Sequence, residues 1–392
     1  MVTTPVSIPY ERYSAQPAHW WLGRALSALG GASGLGPADI DGLCVASFSL
    51  APDTAVGLTQ HFGLTTRWLD HLPMGGAAGV IALRRAARAV QSGDAAVVAC
   101  LAGDTNQVDS FRSMLSNFSR FAQDASLPYG GGGPNGSFAL ITREYMRAFG
   151  IGREEFGKLC VAQRYNALHY PNALMKTPLT LQQYLDARKI ADPITLFDCV
   201  MPCAGAEGFL VMHEELALDH GLPFARILST MERHNAYPDD PVQIRGGWAL
   251  DAAEFWSMAG VAPDQVDMLQ TYDDYPAIVA MQIEDLGFCA KGEAAEFIRS
   301  HTFTFDGSFP HNTSGGQLSV GQAGAAGGYL GLVEAIRQLT GAAGANAVVN
   351  AAAKASPRTA TGARIAAVSG FGMINFDRGL CSGAALLAGG ST

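Results

Sequence analysis

Residues Gly79–Gly103 read GVIALRRAARAVQSGDAAVVACLAG, and this stretch indicates the fold class of the chain. Its first part, Gly79–Ser92, is predicted to be a helix, and Ala95–Gly103 is a short apolar run typical of a buried strand. Alternation of helices with buried strands is the pattern of α/β folds, in which helices cover the faces of a sheet. The stretch therefore predicts α/β layers.

The same unit recurs in the second part of the chain. The helix Val80-Ile-Ala-Leu-Arg-Arg followed by AVVACLAG parallels Leu332-Val-Glu-Ala-Ile-Arg followed by Ala347-Val-Val-Asn-Ala-Ala. In the same way, Pro37-Ala-Asp-Ile-Asp-Gly-Leu parallels Pro263-Asp-Gln-Val-Asp-Met-Leu, and each enters an apolar strand. Recurrence at a distance is the sequence signature of an internal repeat.

A third parallel joins Gly136-Ser-Phe-Ala-Leu-Ile to Gly383-Ala-Ala-Leu-Leu-Ala, and Ser137–Thr142 is accordingly predicted to be a strand. One such match could arise by chance. Three matches in the same order favour two related α/β halves.

The length of 392 residues also favours two packed halves, because a single hydrophobic core stops growing below that size. The sequence predicts an N-terminal half at residues 1–222 and a C-terminal half at 223–392. The first half includes an insertion at 104–135 and a connecting region at 143–222. Such insertions usually cap a site or form an interface.

Composition limits the function classes. The chain is 48% hydrophobic and 16% charged, which is typical of a compact, well-buried soluble protein. A net charge of −9 without a basic cluster argues against nucleic acid or an anionic membrane as a partner. Seven scattered cysteines are typical of free thiols in a reducing compartment. Because neither a secretory signal nor an apolar run of about twenty residues occurs, we expect no membrane span and a cytoplasmic location.

Four segments carry a resemblance to a known family. They are Arg153-Glu-Glu-Phe, Tyr165-Asn-Ala-Leu-His-Tyr-Pro-Asn-Ala, Thr177–Cys199 (TPLTLQQYLDARKIADPITLFDC), and Asn312-Thr-Ser-Gly-Gly-Gln-Leu-Ser-Val-Gly-Gln-Ala-Gly-Ala-Ala-Gly. The series resembles the linker, covering loop and glycine-rich segment of the sterol-carrier-protein-x type thiolases, often called lipid-transfer proteins. The resemblance extends from about Ile40 to the C-terminus.

This resemblance implies the thiolase fold, in which two βαβαβαββ halves stack in five layers (αβαβα), and it agrees with the duplication. It also implies an acyl-CoA substrate and a homodimer. Coenzyme A would enter as part of the substrate, so we expect neither another cofactor nor a metal site.

The departures from the family pattern bear on the chemistry. In such thiolases a cysteine at the start of a helix carries the acyl group, activated partly by the helix N-terminus. The matching stretch is Met74–Gly79, with Gly76 at the position of the cysteine. Gln322 and Tyr272 stand where the family has catalytic histidines, and Ser369–Gly372 has no cysteine. A covalent acyl-enzyme of the thiolase kind is therefore not supported.

One branch of the family fits this profile, namely the aldolases that shorten steroid side chains. They lack the cysteine and cleave a β-hydroxyacyl-CoA to a shorter acyl-CoA and a ketone or aldehyde. The resemblance implies that Tyr272 is one of a catalytic pair, although the second tyrosine of that branch is replaced by Gln322. Relatives of this kind commonly need a partner chain with an OB-fold and a zinc ribbon.

Retro-aldol cleavage needs a base for the β-hydroxyl, stabilisation of the enolate, and a proton donor for its carbon. We predict Tyr272, Asp273, Gln322 and Gly76 as the catalytic residues. Tyr272 would act as base or acid, with Asp273, Asp274 or a water held by Gln322 relaying the proton. The Gly76 N–H would donate a hydrogen bond to the enolate oxygen, and the missing side chain would leave room for a bulkier substrate.

We predict that the substrate-binding residues are Gly75, His311, Asn312, Gly316 and Gly370. Simpler interpretations remain open for several of these predicted site residues. His311 is equally well explained as a satisfied loop histidine, and Tyr272 alone would more often be a packing aromatic. An aspartate beside a strand end, as at Asp273, often only caps a turn.

Two other functions remain open. One is an acyl-CoA acyltransferase in which Cys203 or another thiol replaces the lost nucleophile, although Cys199 and Cys203 are better explained as buried structural thiols. The other is a catalytically silent subunit that supports an active partner, because a decayed site would show the same substitutions.

Overall fold

The structure, a computed structural model, describes residues 1–108, 123–131, 133–348 and 363–390. The strands are β1 (Val2–Glu11), β2 (Gly42–Ala46), β3 (Trp68–His71), β4 (Val97–Asp104), β5 (Lys189–Ala191), β6 (Ile194–Thr195), β7 (Ala204–Met212), β8 (Phe224–His234), β9 (Met268–Gln270), β10 (Ile365–Ile374) and β11 (Gly379–Gly389). The helices are α1 (Ala18–Ser33), α2 (Ala55–Phe62), α3 (Ala78–Ser92), α4 (Gln123–Ser126), α5 (Pro134–Phe149), α6 (Arg153–His169), α7 (Leu181–Leu185), α8 (Glu214–Asp219), α9 (Trp248–Ala259), α10 (Pro276–Asp285), α11 (Ala294–Ser300), α12 (Gly316–Val320) and α13 (Gly327–Leu339). None of these helices has the length and apolar character needed to cross a lipid bilayer.

The strands of the described residues form one long sheet in the order β3-β2-β4-β7-β1-β8-β11-β10-β9, with β5 and β6 as a separate hairpin. In the first half β3, β2 and β4 are parallel, and β7 and β1 follow antiparallel. In the second half β9 and β10 are parallel, and β11 and β8 follow antiparallel. Only the pairs Val2–Ala225 and Thr3–Phe224 join the halves, so the sheet consists of two related parts.

Helices α3 and α13 form the middle layer, and each contacts strands of both half-sheets. They pack closely at Gly79, where the absence of a side chain is needed: a Cβ added there would lie 2.2 Å from the Gly328 carbonyl oxygen. Helix α1 covers the outer face of the first half-sheet, where it contacts β1, β4 and β7. The five-layer arrangement of two related α/β halves, predicted from the sequence, is confirmed.

The parallel between the Pro37 and Pro263 segments is also confirmed. Pro37–Asp39 and Pro263–Gln265 each form a 3₁₀ turn, and these turns lead into β2 and β9. Proline favours the first position of such a turn because its φ is already fixed there. Of the predicted counterpart at Ala347–Ala352, residues from 349 onward lie outside the described residues, as do 109–122 and 132 of the insertion.

The third parallel was wrong. Ser137–Thr142 lies inside helix α5, whereas its proposed counterpart at Gly383 lies in strand β11. Pro134 at the first helical position and Gly150 at the C-terminal cap (φ 67°) mark the ends of this helix. The true counterpart of β11 is β7, since each pairs antiparallel with the strand that follows a central helix.

The predicted boundary at residue 222 stays a prediction. Strand β8 opens the second half at Phe224, close to that position. The connecting region predicted at 143–222 is more than a connection, because it contains β7, a fully buried strand of the first half-sheet.

Candidate active site

A cavity of about 330 Å³ brings together four of the residues that the sequence predicts for the site: Gly75, Gly76, Tyr272 and Gln322. A cavity with an apolar wall and a few convergent polar groups is typical of a ligand site. The apolar part of its wall is formed by Phe48, Phe138, Ile190, Leu196, Val200, Pro202, Tyr275, Phe371, Met373 and Ile374.

The ring of Tyr272 takes up the space of a side chain at position 76. A Cβ added at Gly76 would lie 2.1 Å from two ring carbons of Tyr272 and 2.3 Å from the Phe371 carbonyl oxygen. The Tyr272 backbone is held by Gln282, whose side chain accepts from the tyrosine N–H at 3.1 Å and donates to its carbonyl at 2.7 Å. The expected room for a bulkier substrate at Gly76 is therefore absent, because the tyrosine ring fills it.

Gln322 connects Tyr272 to a carboxylate. Its side-chain nitrogen donates to the Tyr272 hydroxyl at 3.0 Å and to Asp274 Oδ1 at 2.6 Å. Burial raises the pKa of Asp274 to about 7. Burial, together with the nearby charge of Asp274, raises the pKa of Tyr272 well above its usual value. The cluster therefore contains a phenol that stays protonated at neutral pH and a carboxyl that is poised between its two states.

Gln322 is held in place by the connecting region. Its backbone N–H donates to the Met201 carbonyl at 2.9 Å, and its own carbonyl accepts from the Cys203 N–H at 3.0 Å. These two bonds form a parallel bridge between Pro202 and Gln322. The side chain of Gln322 is thus positioned by a segment more than a hundred residues earlier in the chain.

Asp273 points away from this cluster. Its carboxylate accepts from the backbone N–H groups of Gln317 at 2.9 Å and Leu318 at 3.2 Å, at the start of α12. Burial raises its pKa to about 6, and the side chain does not line the cavity. The contacts fit the simpler interpretation of a cap, and the structure brings Asp274 rather than Asp273 to Tyr272.

His311 and Asn312 also lie outside the cavity wall. The His311 ring nitrogen Nε2 is 2.8 Å from the Thr271 hydroxyl, and burial lowers the pKa of the ring to about 3, so the imidazole is neutral. Asn312 Oδ1 accepts from the Thr271 N–H at 2.8 Å. Both side chains attach their loop to Thr271, just after the end of β9.

Three of the predicted glycines have distinct structural roles. Gly75 lines the cavity with a φ of 52°, in the left-handed region that favours glycine. Gly370 lets β10 approach the turn before α3, since a Cβ there would lie 2.8 Å from the Ala77 Cα. Gly316 lies beside Asp273, where a Cβ would be 2.1 Å from its Oδ2. Gly316 and Gly370 therefore support the site without lining the cavity.

The sequence analysis missed Asn135, Tyr275 and Arg188, which line the same cavity. The Tyr275 hydroxyl donates to Asn135 Oδ1 at 2.5 Å, and the Tyr275 ring stacks on Phe138 at a centroid distance of 4.0 Å. Pro134 before Asn135 is a helix-start signal that would have placed Asn135 at the beginning of α5.

The thiols near the site do not have the properties of nucleophiles. Cys199 lines the cavity, but burial raises the pKa of its thiol to about 12. Burial also raises the pKa of Cys203 well above its usual value. A reactive cysteine needs a lowered pKa, because the thiolate is the attacking species. All seven cysteines of the chain are free.

Comparisons with known proteins agree with this arrangement. A family model described as thiolase C-terminal domain-like matches residues 234–375. A steroid side-chain-cleaving aldolase of Thermomonospora curvata is 30% identical over 326 residues, covering 79% of this chain and 82% of the relative. The chain belongs to the thiolase superfamily, in its sterol-carrier and lipid-transfer branch.

Other members of the thiolase superfamily extend the match. The 17-hydroxy-3-oxo-4-pregnene-20-carboxyl-CoA lyase of Mycobacterium tuberculosis is 30% identical over 326 residues, covering 79% of this chain and 83% of the relative. A solved structure named Ltp2-ChsH2(DUF35) aldolase has a TM-score of 0.80 and 25% identity, and the match covers 99% of this chain and 97% of that chain. The predicted thiolase fold and the predicted class of enzyme, a carbon–carbon lyase of the thiolase superfamily, are confirmed.

Proposed function

We propose that the protein cleaves a β-hydroxyacyl-CoA by a retro-aldol reaction, releasing a shorter acyl-CoA and a ketone or an aldehyde. One observation carries the proposal. The Tyr272 ring stands in the space of the missing nucleophile, and its hydroxyl belongs to a cluster with Gln322 and Asp274. An acid and a base held beside each other suit proton transfer, whereas acyl transfer to the enzyme has no acceptor here.

The reaction balances with two protein groups. The Asp274 carboxylate removes the proton of the β-hydroxyl, the bond between the α- and β-carbons breaks, and its electron pair passes to the thioester as an enolate. The Tyr272 phenol then donates its proton to the α-carbon. The proton on Asp274 then passes to the Tyr272 phenolate, which restores both groups. The net result is that the β-hydroxyl loses a proton and the α-carbon gains one in place of its bond to the β-carbon.

The enolate oxygen needs hydrogen-bond donors at the position where its charge develops. The N–H groups of Gly75 and Gly76 are suited to this role, because they border the cavity and precede the long helix α3. The Ala77 N–H is less available, since it donates to the Met74 carbonyl at 3.1 Å.

The wall of the cavity supports a bulky apolar acyl chain as the substrate. Phe371 lies within 6.2 Å of Phe138 and 5.9 Å of Trp248 between ring centroids, so aromatic rings continue the wall formed by Tyr275. The names of the two relatives refer to steroids, and a fused ring system would bury well against such a wall.

We also propose that the protein acts as a homodimer in a complex with an OB-fold and zinc-ribbon protein, in the cytoplasm. The name of the solved relative pairs Ltp2 with ChsH2(DUF35), which supports a second chain. Coenzyme A is part of the substrate, and the proposed chemistry uses no metal or other cofactor.

The first test is mass spectrometry of the products of β-hydroxyacyl-CoA thioesters, with and without a co-expressed zinc-ribbon partner. We expect a shorter acyl-CoA and a carbonyl compound without added free coenzyme A. Tyr272→Phe should lower kcat by about 10²–10⁴, the range of general acid–base catalysis. Tyr165→Phe, which removes an exposed hydroxyl remote from the cavity, should leave kcat unchanged.

The alternatives give different results. Turnover of a β-ketoacyl-CoA only with added free coenzyme A would indicate a thiolase with a displaced nucleophile, which the raised pKa values of Cys199 and Cys203 disfavour. Absence of turnover with the partner present, or full activity of the complex with Tyr272→Phe, would indicate a silent subunit.

A further inference from the structure

Met373 has an unusual backbone conformation on the wall of the active-site cavity. It lies in β10 with a φ of 57°, in the left-handed region that residues other than glycine seldom adopt. Of the five non-glycine residues with a positive φ in the described part of the chain, it alone lines the cavity; the others are Thr4, Asn235, Tyr237 and Asn312. Strained backbone of this kind persists only where the surrounding structure fixes it, and it is frequent at functional sites.

The left-handed backbone brings the Met373 side chain to the cavity together with that of its neighbour. Successive side chains of a regular strand point to opposite faces of the sheet, yet Met373 and Ile374 both line the cavity. The two side chains differ in exposure, since Ile374 is buried whereas Met373 is 37% exposed. Met373 therefore stands at the open side of the cavity.

Two side chains adjoin the turn before α3. A Cβ added at Gly75 would lie 3.5 Å from the Met373 sulfur and 3.5 Å from Cζ of the Phe48 ring. Phe48 is 43% exposed, so both groups border solvent as well as the turn. At Gly76 the neighbouring group is instead the Tyr272 ring, 2.1 Å from the position of a Cβ. The catalytic ring and the pair Met373–Phe48 thus border adjacent residues of one turn.

Packing does not account for a methionine at position 373. A side chain that is 37% exposed contributes less to the hydrophobic core than a buried one. Glycine would adopt a φ of 57° without strain. Because stability alone favours glycine here, a contact with the substrate explains the side chain better.

We propose that Met373, with Phe48, limits the size of the substituent on the α-carbon of the thioester and so determines which shorter acyl-CoA is released. This inference rests on the proposed function. With the enolate oxygen at the N–H groups of Gly75 and Gly76, the α-carbon lies one bond from the carbonyl carbon and receives its proton from Tyr272. A substituent on that carbon then extends along the wall beside the turn, where the thioether and the phenyl ring stand. Met373 is accordingly a specificity-determining residue and takes no part in the proton transfers.

The test compares β-hydroxyacyl-CoA thioesters that differ only in the α-substituent, which is either methyl or propyl. For Met373→Ala and Met373→Gly we expect the ratio of kcat/KM for the propyl thioester to that for the methyl thioester to rise about 10- to 100-fold, the effect of one or two methylene groups in a fitted pocket. The ratio is measured by mass spectrometry of the products from a mixture of the two thioesters, with the zinc-ribbon partner present where turnover requires it. An unchanged ratio in both variants would overturn the proposal.

The two variants separate the side chain from the backbone. Met373→Ala keeps a non-glycine residue at a positive φ, whereas Met373→Gly also removes the strain. Met373→Gly should therefore resist unfolding in urea better than Met373→Ala, although both lack the thioether. A rise in the ratio confined to Met373→Gly would mean that backbone freedom, and not the size of the side chain, sets the selectivity. That result would overturn the proposal.

Asn235→Gly is the matched control, because Asn235 also has a positive φ (47°) but lies outside the cavity. It should leave the ratio of the two thioesters unchanged. A rise as large as that of Met373→Gly would show that a more flexible end of the sheet changes the selectivity without contact to the substituent, and would overturn the proposal.

A binding measurement separates this inference from the proposed function. Titration calorimetry uses acyl-CoA thioesters without the β-hydroxyl, which the reaction cannot cleave, with methyl or propyl on the α-carbon. The unmodified protein should bind the methyl thioester more tightly, and Met373→Ala should lessen this difference, whether or not the protein turns over any thioester. The same difference in both proteins would overturn the role of Met373 even if the aldolase reaction is observed. A lessened difference without turnover would keep that role and remove the reaction.

Discussion

The two central helices begin in the same way, yet their N–H groups have different partners. A 3₁₀ turn precedes each helix, Gly75–Ala77 before α3 and Gly324–Ala326 before α13. At the second turn, the Ala325 N–H donates to the buried carboxylate of Asp104 at 2.7 Å. At the first turn, no side chain of the described residues accepts from Gly75 or Gly76, and both glycines border the cavity.

The difference shows how a duplicated fold can assign one element two roles. Asp104 also accepts from the backbone N–H groups of Phe48 at 2.9 Å and Ser49 at 2.7 Å, so the start of α13 is connected through Asp104 to the loop after β2. The corresponding position before α3 has no side-chain acceptor among the described residues. In the proposed reaction, the enolate oxygen would occupy at the first turn the role that the Asp104 carboxylate has at the second.

The largest expected effect is at the turn before α13, where Asp104 accepts from the Ala325 N–H. Asp104→Ala leaves the N–H groups of Phe48, Ser49 and Ala325 without their acceptor, and of these three residues Ala325 is buried. The buried Ala325 N–H left unsatisfied costs about 1–3 kcal/mol and each of the two other lost hydrogen bonds about 1 kcal/mol, so we expect the free energy of unfolding in urea to fall by about 3–5 kcal/mol. Asp39→Ala, which removes the carboxylate that caps an exposed turn, is the matched control and should cost about 1 kcal/mol or less. A loss of the same size in both variants would contradict the comparison.

At the turn before α3 we expect a smaller loss of stability together with a loss of activity. Gly76→Ala places a Cβ 2.1 Å from the Tyr272 ring and 2.3 Å from the Phe371 carbonyl oxygen. Overpacking of this kind costs about 1–3 kcal/mol, and the displaced ring should lower kcat at least as much as Tyr272→Phe. In α13, a Cβ from Gly331→Ala would lie 3.3 Å from Gln270 Cβ and 4.0 Å from Val368 Cγ1, so this change should alter both quantities little. Retained activity of Gly76→Ala would show that the ring position is not needed.

The smallest expected effect concerns Asp274, which has fewer partners than Asp104. Burial raises the pKa of Asp274 from 3.8 to about 7, so between these values the folded protein holds a proton that the unfolded chain has lost. Stability should therefore fall as pH rises through this window and level off above it. Because the side chain borders the cavity and keeps part of its solvation, we expect about 2 kcal/mol.

The measurement for Asp274 is urea unfolding of the unmodified protein and of Asp274→Asn between pH 4 and pH 8. In Asp274→Asn, the fall in the free energy of unfolding as pH rises should be smaller than in the unmodified protein. Parallel curves for the two proteins would mean that Asp274 titrates outside this window. In the unmodified enzyme, kcat/KM should rise towards a plateau above a pH near 7, since the base is then ionised.

Much of the fold was predictable, because its signals are local. Pro37 and Pro263 fix the same turn before a strand in both halves, and the order of the matches indicated the repeat. The prediction for Ser137–Thr142 failed for a physical reason. A six-residue apolar run has the same appearance in a buried strand and in a buried helix, and only Pro134 and Gly150 at the two ends distinguish them.

The site was predictable only where the family pattern fixes a position. Gly76, Tyr272 and Gln322 meet in the structure, although nothing in their local sequence shows that they are neighbours. The choice between Asp273 and Asp274 required the structure, because both follow β9 in irregular backbone, where the sequence does not set the side-chain directions. The catalytic roles of these residues stay predictions until the variants are measured.

The backbone bridge between Pro202 and Gln322 has a consequence for how the protein becomes active. The residues around Tyr272 come from four distant parts of the chain, and contacts of large sequence separation form late in folding. Gln322 reaches its position only after the segment before β7 has docked against it. During refolding, activity should therefore return later than helical structure. A chain in which the bridge has not yet formed would then be unable to cleave the thioester.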